Sequence, residues 1–86
     1  MARNQKECRE EAQKIVEVLK GATERIGSLL DDEQFLLDSS PENMQEYKDT
    51  TFYGPMMEYI EKAHKNVTEA IAELEKMDEL YINNAY

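Results

Sequence analysis

Apolar residues recur along the first 37 positions at the spacing of a helix face. Cys8, Ala12, Ile15, Leu19, Ala22, Ile26 and Leu29 follow one another at intervals of 4, 3, 4, 3, 4 and 3, and after Glu33 the series resumes at Leu36. A seven-residue repeat of this kind predicts a helix with one apolar seam. In heptad letters, a holds Ala12, Leu19, Ile26 and Glu33, and d holds Cys8, Ile15, Ala22, Leu29 and Leu36. The helix is expected over about 4–37, starting at Asn4, whose side chain caps it while Glu7 completes a capping box. A second seam runs Met56, Ile60, Ala63, Val67, Ala70, Leu74, Met77, Tyr81, with Ile60, Val67, Leu74 and Tyr81 at a and Met56, Ala63, Ala70 and Met77 at d. It predicts a helix over about 55–82, closed near Asn83-Asn84, a residue type that tolerates a left-handed cap.

Between the helices lies a connection over 38–54. Phe52-Tyr53-Gly54-Pro55 reads as the point of reversal, with Pro55 at the first helical position, where its missing N–H costs nothing. Ser40-Pro41-Glu42 supplies a cap, a proline and a first-turn acid, predicting a short helix over about 41–48 with Met44 and Tyr47 on one face. Asp49-Thr50-Thr51 then leads back to the corner. No alternation of period two is present. The fold class is therefore all-α, an antiparallel two-helix hairpin forming a single domain over 1–86.

If the a and d seams face each other, facing residues sum to about 92, placing Ala22 beside Ala70 and Leu29 beside Ala63. The e positions then form one flank: Val16, Thr23, Leu30 and Leu37 with Met57, His64 and Ile71. The g positions form the other, with Glu11, Val18, Arg25 and Asp32 against Tyr59, Asn66, Glu73 and Leu80. The e flank is the more apolar. Val16, Leu30, Leu37, Met57, His64 and Ile71 are accordingly expected to form a partner interface, closing a four-helix bundle with a second hairpin as a homodimer or a heterodimer.

Composition narrows the partner. The chain has 86 residues, 10 Lys+Arg against 19 Asp+Glu, and a formal charge of −9, which argues against sequence-independent binding to nucleic acid or anionic lipid. The charge is concentrated in the middle: residues 31–50 carry one basic and seven acidic groups. No run approaches the ~18 apolar residues of a membrane span, and no apolar stretch follows Arg3 and Lys6, so no membrane insertion is expected. The expected location is the cytoplasm, with export lacking a cleaved signal peptide as an open alternative.

Candidate chemistry is sparse. Glu61 and His64 have the Glu-x-x-His spacing of di-metal bundles, yet Ser28 and Leu29 stand opposite and supply no carboxylate. Cys8 is the one cysteine and lies far from His64, the one histidine, so no thiol nucleophile with a base is expected. Asp31-Asp32-Glu33 with Asp38 lacks the pattern of a calcium loop. The chain reads as non-enzymatic, with no cofactor and no metal.

Three residues at the corner, Phe52-Tyr53-Gly54, form an aromatic-x-Gly in a helical hairpin of under a hundred residues. In this the chain resembles the WXG-motif proteins of type VII (Esx) secretion, with Phe52 in place of tryptophan. A second family pattern, hydrophobic-x-x-x-acid-x-x-hydrophobic-x-x-x-hydrophobic, is similar to Leu74, Asp78, Tyr81 and Ala85. The family's Tyr-x-x-x-Asp/Glu export signal has no counterpart here. The resemblance implies a secretion substrate, or an accessory factor that pairs with the helical domain of a larger effector, with Phe52 plugging a bundle end and Gly54 permitting the turn. The alternative is a structural or regulatory helical adaptor, phage-encoded or antitoxin-like, unrelated to secretion.

Overall fold

The computed structural model describes residues 2–84, and within them every regular element is helical. Helix α1 spans Gln5–Asp38. It begins as the sequence predicts: Asn4 is extended, and its Oδ1 accepts the Glu7 amide at 2.8 Å, satisfying one of the free donors of the first turn. It ends at Ser39, whose amide donates to the Phe35 carbonyl at 2.9 Å, while the Ser40 amide donates to the Leu37 carbonyl at 3.0 Å. The Ser40 hydroxyl, expected to cap the next helix, instead donates back to the Leu36 carbonyl at 3.1 Å.

Only Ser39, Ser40 and Pro41 interrupt the helical chain. Helix α2 (Glu42–Lys48) passes into a π-helical turn (Asp49–Tyr53), and that turn passes directly into helix α3 (Gly54–Asn84). The reversal is therefore not at Phe52-Tyr53-Gly54-Pro55, as the sequence suggested, but about a dozen residues earlier. Gly54 has ordinary right-handed helical angles (φ −58°, ψ −56°), and its amide donates to the Asp49 carbonyl, five residues back. The wide turn explains how a helix survives Gly-Pro. Pro55 has no N–H and its ring would collide with the carbonyl four residues earlier in a regular helix, whereas widening the turn just before it relieves that crowding. The Thr50 and Thr51 hydroxyls donate to the Glu46 and Tyr47 carbonyls at 2.9 and 2.7 Å, bonds of a type that bend helices. At the far end, α3 continues through Asn84, and no residue among those described adopts a left-handed cap. Ala85, the last position of the family pattern, lies outside the described residues.

The two long helices form the hairpin, which measures 65 × 21 × 15 Å with a radius of gyration of 19.1 Å. A compact chain of this length would have a radius near 12 Å. Rods of this kind enclose little: Ala12, Val16 and Leu37 are the buried hydrophobic residues among those described. The register falls within two residues of expectation, since Arg9 stacks over Tyr81, a pair summing to 90.

Candidate functional site: the seam and the open face

Which stripe closes the hairpin differs from the sequence reading. Along α1 the buried residues are Ala12, Val16 and Leu37, and the half-buried ones include Arg9, Leu19, Thr23, Ile26, Leu30 and Glu33; along α3 the half-buried residues from Met57 on are Met57, Ile60, Val67, Ile71, Leu74, Asp78 and Tyr81. All of these are a or e positions; Cys8 and Ala22 are the d positions that are half-buried with them, beside Glu11 at g and Gly27 at b. The physical reason lies in angle and bulk. At 100° per residue, e stands 40° from a and d stands 60° from it, so an a/e stripe points inward more narrowly. The e positions also offer Val16, Leu30, Leu37, Met57 and Ile71, where the d positions include Ala22, Ala63 and Ala70. Burying the larger set removes more apolar area from water. Intervals of 4 and 3 describe both stripes equally well.

The residues expected to meet a partner thus sit between the two helices of one chain. Val16 and Leu37 are buried; Leu30, Met57 and Ile71 are half-buried; His64 alone stays exposed. A groove of about 210 Å³ brings His64 and Glu61 beside Ile26, Gly27, Leu30 and Ile60. Aliphatic side chains face the Glu-x-x-His, and the described residues contain no group of three or more His, Cys, Asp or Glu placed to hold a metal ion.

The family-pattern residues divide. Phe52 is 52 % exposed and meets Tyr53 edge to face, centroids 5.1 Å apart, within the helix. Gly54 is half-buried beside it, at no turn of the chain. Leu74, Asp78 and Tyr81 all lie on the a/e seam. There, Arg9 Nε donates to Asp78 Oδ1 at 2.5 Å while its guanidinium lies 5.1 Å from the Tyr81 ring centre. The hydrogen bond to Asp78 holds the Arg9 pKa above its ordinary value. This cluster fastens the open end of the hairpin, next to a cavity of about 670 Å³ lined by Gln5, Ala12, Met77 and Asn84 among others. Arg9 and Asp78 both occupy e positions of the repeat, a signal by which the pairing could have been found.

One seam residue is poorly satisfied. Glu33 occupies an a position, and its Oε2 is buried without a hydrogen-bond partner. Orphaned acceptors of this kind cost about 1–3 kcal/mol. Glu33→Leu should therefore raise the thermal midpoint, by roughly 5–10 °C for a domain of this size. Melting followed by circular dichroism checks this; an unchanged or lower midpoint would show that Glu33 is accommodated.

Closing the hairpin through a and e turns the d and g positions of both helices to one side. That side is apolar and open. Of the thirteen exposed large hydrophobic residues among those described, nine occupy d or g: Ile15, Val18, Leu29 and Leu36 on α1, Met56, Tyr59, Met77 and Leu80 on α3, and Phe52 in the π turn when the α3 repeat is carried back to it. Val18 is 72 % exposed and Tyr59 70 %. This gathering on one side is more than a scatter of single apolar residues, which would need no explanation. Charge lies elsewhere. Across α1 and α3 the b and f positions hold three lysines and nine acids, a net −6, while d and g hold Arg25 against Glu11, Asp32 and Glu73, a net −2.

Comparison with protein-family models, with curated proteins and with solved structures gives no match in any of the three. No helix among the described residues is long and apolar enough to cross a membrane.

Proposed function

We propose that this chain is a non-enzymatic, protein-binding helical hairpin whose working surface is the d/g side. The observation that carries the proposal is the gathering of nine exposed large apolar side chains on one side of a rod with almost no interior. Each such side chain contributes about 1.5–3 kcal/mol when buried, so covering the face with another helical surface outweighs most other terms available to so thin a domain. A secretion substrate or accessory factor of WXG type and a regulatory adaptor would both use such a face. The position of Phe52-Tyr53-Gly54 inside a helix favours the adaptor reading, which needs no turn there.

Photocrosslinking tests the surface. A benzophenone side chain placed at Val18, on the d/g side, should form protein adducts in the cell, whereas one at Glu24, on the acidic back, should not. A folded chain that gives no adduct from Val18, or equal yields from both positions, would overturn the reading.

A further inference from the structure

We infer that the occupant of the d/g side is a second copy of the chain, lying antiparallel to the first. This rests on the protein-binding reading above and names its partner. Area is the first argument. α1 alone is about 50 Å long and a two-helix face about 20 Å wide, giving roughly 1,000 Å² per copy, which meets the ~800 Å² per partner of a stable complex.

Charge is the second argument. A chain of net −9 would ordinarily resist pairing with itself, but the acids are segregated from the contact side. The d and g positions are net −2, and the adjoining c positions carry Lys14, Lys62 and Lys76 against Glu7 and Glu69, a net +1. Two such faces meet as nearly neutral surfaces, with lysines and glutamates available to pair along the rim. The −6 of the b and f positions points away from the contact.

Orientation follows from the uneven distribution along the rod. The end nearer the reversal, residues 22–69, holds four basic and eleven acidic groups, a net −7. The open end, residues 1–21 with 70–86, holds six basic and eight acidic, a net −2. Parallel copies would set −7 against −7. Antiparallel copies set −7 against −2 and place the basic groups of the open end within reach of the acidic pole. Such a pair has twofold symmetry, and the same patch serves both copies.

Light scattering and spin labelling test the proposal on the full chain. The wild type should run as a dimer at tens of micromolar, with a thermal midpoint that rises with protein concentration. Leu29→Lys, at an exposed d position, should weaken pairing by at least about 100-fold, while Glu24→Lys on the acidic back should not. Cys8 lies at d near the open end, so a spin label there should report a separation of about 40 Å between copies. A dimer with labels within about 20 Å, or one indifferent to Leu29→Lys, overturns the arrangement. A monomer that melts cooperatively at a concentration-independent temperature overturns both this pairing and the protein-binding reading. A poorly ordered monomer that gains helix only with a different protein overturns the second copy and leaves the protein-binding reading standing.

Discussion

Leu37→Asp should unfold the hairpin, whereas Leu36→Asp, one residue away, should leave most of its helix in place. Leu37 is buried on the a/e seam where the short connection begins; Leu36 is 49 % exposed at d. Removing Leu37 forfeits about 2–3 kcal/mol of burial and leaves a carboxylate in an apolar contact, a further cost of at least a few kcal/mol. Total stability for a domain of this length is of order 5–10 kcal/mol, so the first substitution removes much of it. The carboxylate would also join Asp31, Asp32 and Asp38 at the acidic pole. Leu36→Asp adds a charge where water already reaches. Helix content at 222 nm and urea midpoints for both variants decide the matter. A larger loss for Leu36→Asp would mean that the a/d stripe, not a/e, closes the hairpin, and equal losses would mean that the two positions are buried alike.

Gly54→Val is the second substitution with a large expected effect. A Cβ on Gly54 would fall well inside contact distance of the Asp49 carbonyl oxygen, which is backbone and has little room to yield. No other conformation at this position calls for glycine, since its φ is that of any helical residue. The wide turn must therefore break or tighten. Tightening brings Pro55 into collision with the preceding turn and rotates α2 about the helix axis. Rotation would pull Gln45 from the Ser40 and Asp38 carbonyls, to which its Nε2 donates at 2.9 and 3.2 Å. The expected cost is about 2–4 kcal/mol, with the damage concentrated at 39–53. Hydrogen exchange should show faster amides there and near-normal protection over 60–75. Uniform loss, or none, would mean that Gly54 does not set the turn.

Much of the architecture was legible in the residues. Two apolar repeats gave two long helices, Asn4 with Glu7 marked the first start, and Ser40-Pro41-Glu42 marked a short helix that begins at Glu42. What misled was punctuation. Gly-Pro usually ends a helix, but a helix can absorb it by widening one turn, and nothing in a hydrophobic pattern records that choice. The pairing side was hidden for a different reason. Stripes a/d and a/e share their spacing and their a residues, so only the bulk of Val16, Leu30, Leu37, Met57 and Ile71 distinguishes them. Exchanging the stripes exchanges inside for outside: the flank read as a partner surface became the seam, and Ile15, Leu29, Leu36, Met56 and Met77 became the surface. An open apolar flank is present, on the d/g side.

The acidic back of the rod, with three lysines and nine acids at its b and f positions, also bears on how far assembly can proceed. In the pair of copies proposed above, the acidic b and f positions of both rods would point outward, away from the contact. The approach of one pair to another would then be repelled. Under that arrangement the layout acts as a terminator. Growth would be self-limiting, and the pair would close at a finite size instead of stacking into an open filament of helices.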